Sequence, residues 1–178
     1  MAGSGRIRLF CALQLPEDAL DAVAAWQAEH LRRPRVVPRE NLHVTLAFLG
    51  SRPVDEVPAI AGELRAAAAE AGEVVLRPER YRETRSVGMI ACEDVTGAAT
   101  ALAERLGEAL ERLGAYRREA RPWLPHVTVI RFREREGVVL PSPNIRSISV
   151  VRSALYRSTP GPGGVRYEEL ESAALGGR

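Results

Sequence analysis

Two short segments of the chain carry nearly the same five residues, and each places a threonine two positions after a histidine. They are Leu42–Leu46 and Pro125–Val129, whose histidines, His43 and His126, lie 83 positions apart. An imidazole titrates near neutral pH and a hydroxyl is a small hydrogen-bond donor, so each pair joins a proton-transfer group to an oxyanion ligand. Two such pairs facing each other would suit in-line displacement at phosphorus, with one histidine as base and the other as acid.

The spacing of two positions predicts that each pair projects from one face of a strand. Side chains at i and i+2 of a strand share a face, so His43 points with Thr45 and His126 with Thr128. One such pair would ordinarily be structural, but two copies in a chain with three histidines favour a site. The third, His30, is expected to be a solvated side chain at the end of a helix. A zinc site is disfavoured because no cysteine or acidic cluster supplies further ligands.

The hydrophobic periodicity predicts an α+β chain in which the order strand, helix, strand recurs. Helices are predicted over 16–31, 55–71 and 96–113, and Gly114 is expected to cap the last of them. Strands are predicted over 7–13, 42–48, 73–76, 87–92, 126–132, 145–156 and 165–173. The repeated motif and element order predict two related lobes, each offering its His-x-Thr face to a shared cleft.

Charge and residue type narrow the possible functions. A net charge of +2, from 25 basic and 23 acidic side chains, is small for a protein that coats duplex nucleic acid. Every basic residue is arginine. The absence of lysine excludes a lysine nucleophile, a lysine Schiff base, a P-loop lysine and ligases that form a lysine–nucleotide adduct.

Length and apolar patterning predict a cytoplasmic protein of one domain. A chain of 178 residues corresponds to a single domain, here 1–178, with two lobes. No apolar stretch approaches the roughly 20 residues of a membrane span. Residues 1–6 are polar and precede no signal region. Cys11 and Cys92 are isolated in apolar runs, as expected of buried free thiols in a reducing compartment.

Together these motifs resemble those of the 2H phosphoesterase superfamily, specifically its bacterial RNA 2′,3′-cyclic phosphodiesterases, also called 2′-5′ RNA ligases. The resemblance covers nearly the whole chain and is carried by residues 8–13, 38–50, 121–131 and 155–158, with Arg166-Tyr167. It implies a bilobal α+β fold, in which two pseudo-symmetric lobes of antiparallel sheet with outer helices surround a central cleft. It also implies that neither a metal nor a cofactor is needed.

The resemblance further implies a reaction and a role for each motif residue. RNA 2′,3′-cyclic phosphate ends, tRNA fragments among the candidates, would be opened to 2′-phosphates by a monomeric enzyme. His43 would be the proton donor to the leaving 3′-oxygen, and His126 the proton acceptor that activates water. Thr45 and Thr128 would hold the phosphate. The family is also associated with the reverse reaction, ATP-independent 2′-5′ joining of RNA ends.

Two more substrate-binding residues follow from the same resemblance. Phe48 and Arg131 each lie five positions after a motif histidine and would line the site for base and phosphate. An odd offset along a regular strand reverses the face, so both roles require a bulge or a strand end. The alternatives are a core phenylalanine and a surface arginine.

Other functions stay open on the sequence. The same histidines could serve a phosphodiesterase acting on a small cyclic nucleotide or a 2′-5′ oligonucleotide. The chain could instead be a non-catalytic RNA-end binding protein, although both complete motifs argue against a decayed site. The arginine-rich segment 117–135, with Trp123 inside it, could flank an RNA strand or form a solvated face of mixed charge.

Overall fold

A computed structural model describes residues 5–32, 34–135 and 137–177; the first four residues of the polar start lie outside this part of the chain. Eight strands and three α-helices are present in it. The strands are β1 (Arg6–Leu13), β2 (Val44–Pro53), β3 (Val74–Glu83), β4 (Val87–Asp94), β5 (His126–Arg131), β6 (Ile148–Val150), β7 (Arg152–Gly161) and β8 (Gly164–Ala174). The helices are α1 (Glu17–His30), α2 (Val57–Ala69) and α3 (Ala98–Arg112).

The strands form one curled antiparallel sheet in the order β6-β3-β4-β5-β2-β1-β7-β8. The two halves of this order are related: β1, α1 and β2 correspond to β4, α3 and β5, and each helix connects two neighbouring antiparallel strands. The predicted recurrence of strand, helix and strand is therefore confirmed. Because β5 and β2 are central, the two motif strands lie side by side where the halves meet.

Within the sheet, the strands of the two halves are paired through a single described pair of residues, Val44 on β2 and Val127 on β5. Each valine directly follows a motif histidine, and both are essentially inaccessible, at 0% and 1% exposure. They belong to a core that continues through the helices, with Leu64 of α2 and Leu106 of α3 at 0% exposure. Since neighbouring strand residues alternate in direction, the side chains flanking the two valines point to the opposite face.

The helices lie close to their predicted bounds. Gly114 ends the third with a φ of +74°, while the N–H of Ala115 donates to the carbonyl of Leu110 at 2.9 Å, so the predicted cap is confirmed. α2 packs against α3, β7 and β8, and α3 also contacts β2, β3 and β4. No helix in the described part of the chain has the length and apolarity to cross a membrane.

The prediction of one strand over 145–156 is wrong. The segment holds two strands, of which β6 pairs with β3 in one half of the sheet and β7 pairs with β1 in the other. Between them, Val151 is 65% exposed. An apolar pattern predicts burial but not which strand lies alongside. Two consecutive apolar strands with different partners are therefore predicted as one strand. The strand predicted over 73–76 extends to Glu83 in the structure. Its second half is polar, so the apolar pattern did not reveal it.

Gly88 on β4 gives a stability prediction. A Cβ at this position would overlap the hydroxyl oxygen of Tyr81 and lie 2.7 Å from Cγ2 of Ile130. We expect Gly88→Ala to lower the free energy of unfolding by about 1–3 kcal/mol through overpacking. Urea unfolding would show a lower midpoint at an unchanged m-value.

The matched control is Gly62→Ala, on α2, where the nearest atom to a new Cβ is 3.9 Å away. There the same change should raise stability by about 0.5–1 kcal/mol, because alanine favours a helix interior. Equal changes in the free energy of unfolding for the two variants would show that the side chains around Gly88 rearrange to accept a Cβ without loss of stability.

Candidate active site

The two motif histidines are held in the same way by the chain that precedes them. Nδ1 of His43 lies 2.8 Å from the carbonyl oxygen of Asn41, and Nδ1 of His126 lies 2.8 Å from that of Leu124. A carbonyl oxygen can only accept, so both Nδ1 atoms donate, and in the neutral rings both Nε2 atoms carry the free lone pair. Each histidine thus presents Nε2 as its proton-transfer atom.

The loop before His43 is itself fastened at both ends. Arg39 lies within 2.6 Å of Glu17 and 2.7 Å of Asp21, which ties the short 3-10 helix Arg39–Asn41 to the start of α1. The Asn41 side chain donates to the carbonyl of Val165 on β8 at 2.9 Å. The carbonyl that orients His43 therefore belongs to a segment anchored to two distant elements.

Register places the four motif side chains on one face at the junction of the halves. Continuing the antiparallel pair of Val44 and Val127 by one step puts His43 opposite Thr128 and Thr45 opposite His126. The histidines thus occupy a diagonal, which in regularly paired strands spans about 7–8 Å. Nε2 of His43 also lies 2.9 Å from the hydroxyl of Thr45. The register therefore places two imidazoles and two hydroxyls around one small region.

Two equivalent bulges turn the residues five positions after each histidine toward that same face. The β1–β2 register shifts at Leu46 and the β4–β5 register shifts at Val129, in each case three residues after the histidine. One extra residue reverses the alternation, so Phe48 joins the face of His43, and Arg131 joins the face of His126. Phe48 is 52% exposed, which excludes the core alternative. Arg131 is exposed at the surface on the site's side of the sheet.

The environment of His43 lowers the pKa of its imidazole to about 4. The main cause is desolvation by burial, opposed by the hydrogen bond to Asn41; the positive charges of Arg131 and His126 lower the pKa further. Phe10 packs at 4.9 Å and Tyr167 at 5.5 Å between ring centroids. These contributions fit the register, which places His126 and Arg131 on the same side of the sheet as His43.

With this geometry the chain can be compared with known proteins. The model of the 2′-5′ RNA ligase superfamily matches residues 15–149. The chain belongs to that superfamily. The RNA 2′,3′-cyclic phosphodiesterase of Escherichia coli is 31% identical over 175 residues, which cover 94% of this chain and 96% of that protein. The protein of the same name from Thermus thermophilus is 30% identical over 192 residues, covering 96% and 91%.

The fold agrees as well. The solved structure of Escherichia coli LigT in complex with 3′-AMP superimposes with a TM-score of 0.82 at 27% identity, covering 96% of this chain and 99% of that one. The predicted α+β fold with two pseudo-symmetric halves is therefore confirmed. The resemblance read from the paired motifs is confirmed with it.

This member of the superfamily has a buried polar residue, Gln27, whose role the sequence did not reveal. Its side chain is 3% exposed and donates to the carbonyl oxygens of Val37, at 3.0 Å, and Val129, at 2.8 Å. Val129 is the bulge residue of β5, and the N–H of Val37 donates to the same carbonyl at 2.9 Å. Gln27 thus ties α1 to the bulge that turns Arg131 toward the site. Residues near Gln27 in the sequence do not indicate whether its side chain is buried and hydrogen-bonded or exposed to solvent.

Gln27→Leu should therefore be costly. It keeps the side chain's size but leaves the Val37 carbonyl without this buried donor, which costs about 1–3 kcal/mol. We expect a lower urea midpoint, together with a fall in kcat/KM beyond what the unfolded fraction explains, because Arg131 loses its support. Retention of full activity by the folded variant would show that the bulge holds its shape unaided.

A second unpredicted contact crosses between the halves. The indole N–H of Trp123, in the loop before β5, donates to the carbonyl oxygen of Thr45 on β2 at 3.0 Å. This hydrogen bond connects the loop that precedes the second His-x-Thr motif to a residue of the first motif. The arginine-rich sequence around Trp123 does not predict this hydrogen bond, because its acceptor lies 78 positions away along the chain.

Other candidate chemistry lies elsewhere or is suppressed. Burial raises the pKa of the Cys11 and Cys92 thiols to about 12, so neither forms a thiolate at neutral pH. His30, expected to be solvated, instead packs on Trp26 at 5.1 Å between centroids, with its side chain 20% exposed. In the described residues no three His, Cys, Asp or Glu side chains are grouped closely enough to hold a metal ion.

Proposed function

We propose that the protein hydrolyses RNA 2′,3′-cyclic phosphate ends to 2′-phosphates, with His43 as proton donor and His126 as proton acceptor. The observation that carries the proposal is the meeting of both His–Thr pairs on one face at the Val44–Val127 junction. The two relatives named RNA 2′,3′-cyclic phosphodiesterase support the substrate class. The complex of Escherichia coli LigT with 3′-AMP supports a nucleotide ligand.

The reaction would be an in-line displacement at phosphorus. Nε2 of His126 takes a proton from water as the water oxygen bonds to phosphorus. The bond from phosphorus to the 3′-oxygen breaks, and His43 gives its Nε2 proton to that oxygen, leaving a 2′-phosphate. Water would restore the histidine protonation states between turnovers.

His43 must carry a proton for this role, although its pKa in the free protein is about 4. The cyclic phosphate is an anion, and an opposite charge beside an imidazole favours the protonated form. Substrate binding would therefore raise the pKa of His43 and charge the acid at the moment it is needed. The Thr45 hydroxyl, 2.9 Å from Nε2, can accept from the protonated ring or donate to the neutral one.

The remaining site residues would bind the substrate. Thr45 and Thr128 would donate hydrogen bonds to the non-bridging phosphate oxygens, where charge grows in the transition state. Arg131 would pair with the same oxygens. Phe48, half exposed and with the Arg8 guanidinium 5.6 Å from its ring centroid, would stack on a base.

The same proposal covers the setting of the enzyme. We treat residues 1–178 as one bilobal domain, because one sheet and one core run through both halves. The partner would be single-stranded RNA with a cyclic phosphate end, bound by a monomer. The buried thiols Cys11 and Cys92 suit the cytoplasm.

The decisive test is single-turnover cleavage of a short RNA with a 2′,3′-cyclic phosphate end, in the presence of EDTA. Chromatography that separates 2′- from 3′-phosphate products should show the 2′-phosphate alone. A protein that binds this RNA without opening the ring would be an RNA-end binding protein. Exclusive formation of the 3′-phosphate would overturn the proposed direction of attack.

A further inference from the structure

A large groove begins at the catalytic face and extends well beyond it. Thr45, Phe48 and His126 are among its lining residues, and its volume is about 860 Å³. Clefts that bury a drug-sized ligand measure about 300–1,000 Å³. The groove is thus near the top of this range, with room beyond a single nucleotide.

The walls of the groove also carry two exposed arginines and an aromatic ring. Arg82 of β3, Arg117 of the loop after α3 and Trp123 of the loop before β5 all line it. Arg82 and Arg117 have no carboxylate within salt-bridge distance in the described part of the chain. The Trp123 ring is held in place by its hydrogen bond to Thr45.

The acidic residues of the groove only partly offset these cations. Glu111 is paired with Arg118 at 2.7 Å, and Glu119 lies 3.9 Å from Arg121. The charge of Arg117 also acts on Glu111, and Glu104 is the remaining acidic residue of the lining, so four arginines of the described lining face three carboxylates. The groove therefore has a surplus of positive charge where a ligand would lie.

A second cleft beside His43 offers a contrast. It measures about 290 Å³, and its walls include the carboxylates of Glu17 and Glu40 against one arginine, Arg152. Of the two openings, the larger groove is thus the one that suits a phosphate backbone. An RNA that ends in a 2′,3′-cyclic phosphate continues in the 5′ direction alone, so its further nucleotides would have to enter one of them.

We propose that this groove binds the nucleotides on the 5′ side of the cyclic phosphate, with Arg82 and Arg117 on backbone phosphates and Trp123 stacked on a base. The inference rests on the proposed function and adds the substrate's minimum length. The enzyme is then selective for oligonucleotides over cyclic mononucleotides. Arginine and aromatic side chains along a groove are the usual means of binding single strands without sequence preference.

The test compares kcat/KM for a trinucleotide ending in a 2′,3′-cyclic phosphate with that for the corresponding nucleoside 2′,3′-cyclic phosphate. Wild type should prefer the trinucleotide by about tenfold or more, as expected when base stacking and phosphate contacts are added. With two phosphate contacts, raising salt from about 50 to about 200 mM should lower the preference about sevenfold. The double variant Arg82→Gln/Arg117→Gln should remove most of the preference and its salt dependence.

Arg112→Gln is the matched control, since Arg112 is an arginine of α3 that does not line the groove. It should keep the wild-type preference. Equal kcat/KM for both substrates, or a preference that the double variant retains, would overturn the groove assignment while leaving hydrolysis intact. Hydrolysis of neither substrate would instead reject the proposed function.

Discussion

Single-turnover hydrolysis of the cyclic phosphate is expected to slow by about 10²–10⁴ when either His43 or His126 is replaced by alanine, because each supplies one proton transfer. Quenched-flow measurements with wild type and both variants would check it. The control is His30→Ala, at the third histidine, which packs on Trp26 and is not placed in the site. It should leave the rate within a factor of about two, as substitutions away from a site usually have small effects.

A substrate with sulfur in place of the bridging 3′-oxygen separates the two roles. A thiol has a pKa of about 8.5 and leaves as an anion without help from an acid. The defect of His43→Ala should therefore largely disappear on this substrate, while that of His126→Ala should persist. The opposite pattern would exchange the roles of acid and base, and rescue of neither variant would show that both histidines act in another way.

Arg131→Met should lower kcat/KM by about 10²–10³, the usual loss when one donor to a developing oxyanion is removed. It should also shift the acid limb of the pH profile. Catalysis needs one imidazole protonated and the other free, so kcat/KM falls on the acid side when a second proton binds the pair. The pKa of His43 in the free protein is about 4, mainly because of burial and partly because of the positive charge of Arg131. Removing that charge raises the pKa, so the limb moves to higher pH.

The profile is best measured between about pH 3.5 and 7, where a histidine limb lies. Arg133→Met, two positions further along the chain, serves as control and should change neither the rate nor the limb. A loss of rate in Arg131→Met without movement of the limb would place the Arg131 guanidinium too far from His43 to share its site.

The sequence by itself predicted the family and the fold class and pointed to the candidate site. The pattern of alternate residues places each threonine beside its histidine because strand geometry is local. The repetition of the motif predicted two related halves, and the regular leucines of 96–113 predicted the third helix. These features depend on neighbours along the chain, and a sequence displays such neighbours directly.

The sequence did not predict which strands pair with each other, because pairing joins residues that are far apart along the chain. Phe10 and Tyr167 border His43 because β1 pairs with β2 on one side and with β7 on the other, and β7 pairs with β8. Tyr167 is thereby brought to His43 from more than 100 residues away along the chain. The same pairing divides 145–156 between the two halves of the sheet. Apolar runs report burial and carry no information about which strand lies alongside.

The tertiary structure determines which way the side chains of Phe48 and Arg131 point. Strict alternation directs both side chains away from the histidines, and the bulges at Leu46 and Val129 reverse this. A bulge is created by register against a neighbouring strand, and the one at Val129 is bonded to the buried amide of Gln27. The local sequence thus determined that each threonine lies beside its histidine. Long-range pairing decided which further side chains face them, because a strand's register is a property of two strands together.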